Sequence, residues 1–247
     1  MAEVIKRVAT GVKGFDELIE NGFIDGSSVA VIGAPGTGKT IFGLHFLYQG
    51  LLNGEKGVYF SFKQETSSLE MQCKQFGWNT DAKKNAGIKF VKLNGVDLFQ
   101  EIQRLEDEAR IFGATRVVVD SISDLMEYLP NVAGLKKLGL TDADGTGPLS
   151  ISPKDFARRV NTIFIDRMKR LGTTTIFIAD SLENGNTLSR DGVTEFTCDG
   201  IILLKATSLG DELHRSVEVR KMRNTAVAGG IQSVSIGTKG MSVGSTR

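Results

Sequence analysis

The segment Gly33-Ala34-Pro35-Gly36-Thr37-Gly38-Lys39-Thr40 constrains this chain more than any other. It follows the apolar run Ser28 to Ile32 and precedes a stretch with Phe42, Phe46, Leu47 and Leu51 at helical spacing. A G-x-x-x-x-G-K-[ST] pattern between a strand and a helix reads as a phosphate loop. Its glycines let backbone N–H groups converge on phosphate oxygens, and the following helix aims its positive dipole end at the same anion. Lys39 supplies a point charge for the β- and γ-phosphates, and the Thr40 hydroxyl is placed to ligate Mg²⁺. The expected ligands are therefore ATP or ADP with Mg²⁺, held by Gly33 through Thr40.

The rest of the chain has the rhythm that such a loop requires. Strand-like runs at 57–62, 88–93, 116–120 and 173–179 alternate with helical patterns at 67–76, 98–112 and 154–171. Strands alternating with helices predict a parallel sheet covered on both faces. The runs at 200–204, 215–219 and 231–236 have no helix between them, so a closing antiparallel meander is expected. Between Pro130 and Pro153, five residues (Gly134, Gly139, Gly145, Gly147 and Pro148) interrupt the pattern, which predicts a long functional or mobile loop. The chain has 247 residues, no internal duplication and no break in composition, so it reads as one α/β domain over 1–247.

Composition excludes other classes. Hydrophobic residues at 40% and charged residues at 24% are those of an ordinary globular protein, which rules out disorder and coiled coil for the bulk of the chain. Two cysteines, Cys73 and Cys198, make neither a disulfide framework nor a zinc motif. With no leader-like N-terminus and no run long enough to span a bilayer, a cytoplasmic, non-membrane setting is expected. The formal net charge of +1 does not advertise nucleic acid. Lys136, Lys137, Lys154, Arg158 and Arg159 leave a local DNA-binding patch open, with Asp142 and Asp144 against it.

Asp120 closes the run Val117-Val118-Val119 at the carboxyl end of a strand, the edge where ligands bind in such sheets. A carboxylate there holds the hydration shell of Mg²⁺; a turn cap with Ser121 is the plainer alternative. Asp180 ends a later strand and reads as a γ-phosphate sensor or as a cap with Ser181. His45 and His214 attract no role, and Trp78 reads as a partly buried anchor.

These residues resemble the single-domain, archaeal-type KaiC-like ATPases of the RecA/RadA superfamily. The resemblance rests on Thr10-Gly11-Val12-Lys13-Gly14-Phe15-Asp16, on the phosphate loop, on the segment Arg190 to Gly200, and on Lys221-Met222-Arg223-Asn224-Thr225. It implies a RecA-like fold and a homo-oligomer, expected to be hexameric, with ATP bound between neighbouring subunits. Lys221 and Arg223 match the family's basic pair, which reaches the γ-phosphate of the adjacent protomer and acts there as an arginine finger does.

One departure stands out. The family places a catalytic glutamate, often a pair, just after the second strand. Here Lys63 and Gln64 hold those positions, and Glu65 comes one or two residues late. The water-orienting group is then Glu65 or Gln64, or the ATPase is slow and switch-like. Three functions follow: an oligomeric regulatory ATPase, an ATP-gated assembly module with negligible hydrolysis, and a recombinase-like DNA-binding ATPase.

Overall fold

The computed structural model describes residues 5–80, 87–93, 97–125, 132–145, 147–181 and 188–244. In chain order the elements are β1 (Arg7–Val8), β2 (Phe23–Ile24), β3 (Ser28–Gly33), α1 (Lys39–Leu52), β4 (Lys56–Ser61), α2 (Thr66–Gln75) and β5 (Gly87–Lys92). They continue with α3 (Leu98–Phe112), β6 (Arg116–Asp120), α4 (Ile122–Leu125), α5 (Val132–Lys137), α6 (Pro153–Lys169) and β7 (Thr174–Asp180). The chain closes with α7 (Thr194–Thr197), β8 (Gly200–Leu209), β9 (Glu212–Met222), β10 (Ile231–Gly237) and β11 (Gly240–Gly244).

Nine strands form one sheet in the order β11-β10-β9-β8-β3-β7-β6-β4-β5. From β8 through β5 every pairing is parallel; β8, β9, β10 and β11 pair antiparallel. This is the expected mainly parallel sheet with helices on both faces and a C-terminal antiparallel meander. The unbroken apolar strands have a simple cause. In β6, Val118 faces α1 while Val117 and Val119 face the opposite layer. In β3, Val29 and Val31 divide from Ala30 and Ile32 in the same way. A strand buried on both faces has no polar side to show.

Phe42 and Phe46 of α1 and Leu69 of α2 fill one layer. Ile102 and Leu105 of α3 and Phe164 of α6 fill the other. Each fully buried side chain of this size contributes about 2–3 kcal/mol. Among the described residues no helix is long and apolar enough to cross a membrane.

The structure differs from the expectation between 130 and 153. Val132–Lys137 is helical, and Leu135, Leu138 and Leu140 are buried against the α3–α6 layer. Burial of Leu135 within the helix, and of Leu138 and Leu140 just after it, anchors this stretch despite its glycines. Positions 130, 131 and 146 of this stretch lie outside the described residues. At the N-terminus, the Asp16 carboxylate accepts both the amide and the hydroxyl of Thr10 and the amide of Gly11. That clasp accounts for the spacing of threonine, glycine and aspartate in this segment. The strand β11, unanticipated, receives it: Val243 donates its amide to Lys13 O at 2.7 Å.

Candidate nucleotide site

Between β3 and α1 the chain turns at the carboxyl edge of the sheet. Gly33 lies so close to β8 that a Cβ would stand 2.5 Å from Leu204 O. Gly36 and Gly38 take φ values of 78° and 101°, conformations that side chains with a Cβ resist. Gly38 caps α1, no side chain caps that helix, and its first turn holds no acidic residue. A 14-residue helix with an uncapped N-terminus offers its free N–H groups to an anion.

Lys39 opens α1 with its ammonium folded back on the loop, 2.6 Å from Gly33 O and 3.1 Å from Ala34 O. Its third partner is Asp180, at 3.2 Å. Asp180 thus belongs to the phosphate loop's own ion pair. An arriving phosphate competes with these three acceptors for the ammonium.

Asp120 ends β6, and its Oδ2 accepts the Thr40 hydroxyl at 3.0 Å and the Tyr59 hydroxyl at 2.5 Å. Burial away from water raises the Asp120 carboxyl above the usual aspartate range, against the pull of those two hydroxyls and of Lys39. A half-buried carboxylate beside the threonine of a phosphate loop fits Mg²⁺ well. That ion usually takes one or two protein oxygens and completes its shell with phosphate and water. No cluster of three His, Cys, Asp or Glu side chains suited to a metal occurs among the described residues. Tyr59 escaped the sequence reading because no spacing marks a strand tyrosine as a partner of Asp120.

The turn after β4 is set by Ser61, whose hydroxyl donates to Gln64 O and accepts the Gln64 amide. Lys63, Gln64 and Glu65 that follow are all exposed. Lys63 pairs with Asp124, a buried carboxylate just beyond Asp120 that also accepts the Ser121 hydroxyl. Glu65 faces the edge strand, 3.5 Å from Lys92. None of the three touches Lys39, Thr40 or Asp120 by an ion pair or side-chain hydrogen bond that the described residues record.

Lys221 and Arg223 lie elsewhere. In the β8–β9 register Lys221 stands opposite Ile201 and Met222 opposite Gly200, at the amino end of β3. The phosphate loop begins at the other end, where Gly33 pairs with Leu204. Lys221 donates to Cys198 O at 2.8 Å, and Arg223 binds Asp199 at 3.1 Å. Burial and the Arg223 charge beside it lower the Lys221 ammonium below its usual value. The six residues of β3 separate this basic pair from the loop of its own chain, roughly 17 Å at strand rise.

The segment Arg190 to Gly200 is a polar knot at that same amino end of β8. Asp191 accepts a hydrogen bond from Asn161, and those from the Ser189 and Thr194 hydroxyls and the Val193 and Thr194 amides hold its carboxyl below the usual range despite burial. Trp78 is buried, stacked on Tyr48 at 4.9 Å and edge-on to His45.

Comparison with known proteins agrees with this geometry. The profile of the family described as "ATPase: KaiC" matches residues 8–247. The circadian clock oscillator protein KaiC of Parasynechococcus marenigrum (strain WH8102) is 27% identical over 251 residues, covering 97% of this chain and 45% of that protein. The circadian clock protein KaiC3 of Synechocystis sp. is 27% identical over 233 residues, covering 90% of this chain and 42% of the relative. This chain therefore spans less than half the length of these relatives. The crystal structure of a KaiC-like protein from the hyperthermophilic archaeon Pyrococcus horikoshii OT3 superposes with a TM-score of 0.78. It shares 29% identity and covers 97% of this chain and 99% of its own. A RecA-like sheet, a complete phosphate loop and an end-to-end family match lead to one conclusion: the chain belongs to the KaiC family of ATPases.

Proposed function

We propose that this protein is a Mg²⁺-dependent ATPase with a regulatory or conformational output, and that each active site is completed by a neighbouring copy. The observation that carries this reading is the separation of the phosphate loop from Lys221 and Arg223. Both features carry the chemistry of phosphoryl transfer, and they sit at opposite edges of one sheet. Copies arranged head to tail bring the two edges together and lead to a closed ring, for which a hexamer is our reading.

Within one site the roles divide by chemistry. Gly33, Ala34, Pro35, Gly36, Thr37 and Gly38 cradle the phosphates with backbone N–H groups, Pro35 contributing shape rather than a donor. Lys39 leaves Asp180 for the β- and γ-phosphates. Thr40 and Asp120 would hold Mg²⁺, which would neutralise charge on the phosphates. Lys221 and Arg223 of the adjacent copy stabilise the transferring phosphoryl group. We assign the water-orienting role to Glu65, the one carboxylate of the turn after β4. It exchanges Lys92 for the attacking water.

A second reading has its own support. Lys63 and Gln64 occupy the positions where the family carries glutamate, and Glu65 rests against the edge strand. An ATP-gated assembly module with negligible hydrolysis fits those facts.

Phosphate release from Mg²⁺-ATP, measured for the wild type beside Glu65→Gln, decides between the two. Turnover in the wild type, reduced on the order of 100-fold in the variant, supports the ATPase. Tight ATP binding with no release in either protein leaves the assembly module.

A further inference from the structure

The two strands β8 and β9 run on past the sheet. β3 accompanies β8 only as far as Leu204, and β10 accompanies β9 only from Arg215 to Glu218. The pairs from Thr207↔His214 to Leu209↔Glu212 therefore form a two-stranded ribbon beyond the carboxyl edge, flanked by no other strand. Its residues are exposed on both faces. At its tip Leu209 is 63% exposed and Leu213 49%, and between them stand Asp211 and Glu212. A naked ribbon with unpaired edges and two leucines in water is costly to leave uncovered.

At the other end of the molecule, between the last turns of α3 and α6 and the end of α5, lies a cavity of about 460 Å³. Its apolar floor includes Leu138, Ile163 and Leu171. Four cations line it: Arg110, Lys137, Arg167 and Arg170. Two carboxylates share the lining, but Glu106 is spent on a bidentate pair with Arg167, both bonds 2.6 Å. Only Asp166 remains against the other three cations. Phe99 holds Lys137 and Arg167 in place, with the ammonium 4.8 Å and the guanidinium 5.6 Å from its ring centre. Arg170 has no carboxylate partner among the described residues, and Arg110 meets Asp107 at 3.4 Å in the open.

The ribbon tip and the cavity match in kind: two leucines with two carboxylates on one side, an apolar floor under an excess of cations on the other. They also stand at opposite edges. The cavity lies beside the starts of β6 and β7, and the ribbon projects beyond the end of β3. No chain can fill its own cavity. We infer that the Leu209–Leu213 ribbon of one copy docks into the α3–α5–α6 cavity of the next, a heterologous contact that orients the head-to-tail assembly. It involves neither the phosphate loop nor Lys221 and Arg223, so it stands apart from the nucleotide chemistry.

Sedimentation velocity of the full chain over a range of concentrations tests it. Arg110→Glu with Arg170→Glu reverses the cavity; Asp211→Lys with Glu212→Lys reverses the ribbon. All four positions are exposed, so the fold survives the changes. Each reversed face is expected to raise the midpoint concentration of assembly tenfold or more, as facing like charges do. The chain carrying all four changes is expected to return most of the way to wild type. Leu209→Ser with Leu213→Ser is expected to weaken assembly without touching a charge. ATP affinity of the monomer is expected to stay at the wild-type value throughout, so loss of nucleotide binding would count against the nucleotide reading and not against this contact. A wild-type chain that stays monomeric overturns the inference. So do single-face variants that assemble as the wild type does, or a four-residue variant that fails to recover.

Discussion

His45 sits in α1 with Nε2 accepting the amide of Met241 at 2.7 Å, so an imidazole in the phosphate-loop helix holds the last strand of the sheet. Only the neutral ring has a lone pair for that bond. Burial lowers its pKa to about 4, with a backbone bond at Gly11 opposing the shift. In the unfolded chain the ring titrates near its ordinary value of about 6.5. Between these values the unfolded state binds the extra proton, so stability falls as pH drops through that window. The full effect is about 3 kcal/mol, present above pH 6.5 and lost toward pH 4. Urea denaturation from pH 7 to pH 4.5, for the wild type and His45→Gln, checks this. The difference between the two curves isolates the imidazole from the carboxylates. The wild type is expected to lose stability more steeply, and parallel curves would remove His45 from the account. Sequence alone could not reveal this role, since a lone histidine has no spacing that names its partner 196 residues away.

Elements were legible where burial writes itself into a pattern. β3 and β6, buried on both faces, read as unbroken apolar runs, and α3 reads as a helix from Leu98, Ile102, Leu105 and Ala109. The phosphate loop was legible because its chemistry dictates residue types at fixed spacing. Two-residue strands such as β1 and β2 are too short for any period to register. β11 begins and ends on glycine, and α5 is a six-residue helix beside Gly139. The cavity cations come from three helices far apart in sequence, so no local window gathers them. The joint between the N-terminal segment and β11 makes an element-scale prediction. Gly14 has a φ of 79°, and a Cβ there would lie 2.1 Å from Val243 O. Gly14→Ala is expected to cost at least 3 kcal/mol, roughly, because backbone must separate. Gly139 has a similar φ of 68° but nothing within 4 Å of a Cβ, so Gly139→Ala is expected to cost about 1 kcal/mol. Equal losses by urea denaturation would mean that conformational strain alone matters and that the joint carries no load.

At the scale of the whole molecule, the distance between the phosphate loop and Arg223 makes the division of labour testable without a structure of the assembly. A Lys39→Ala chain loses its phosphate-loop cation and keeps its basic pair; an Arg223→Ala chain does the reverse. Each homogeneous variant is expected to be inactive, with turnover in the second reduced on the order of 10³-fold and ATP affinity nearly unchanged. Mixed and reassembled in equal amounts, the two give some interfaces where an intact loop meets an intact arginine. Random mixing puts an Arg223→Ala loop beside a Lys39→Ala neighbour at about a quarter of all interfaces. Phosphate release by the mixture should therefore recover to about a quarter of the wild-type rate, although neither partner works alone. Recovery at that level requires that Arg223 act across the boundary between copies. If Arg223 served its own loop, every chain in the mixture would carry one defect and the mixture would stay inactive. If Arg223 did no more than pair with Asp199 at the amino end of β8, the Arg223→Ala chain would lose stability and keep its turnover.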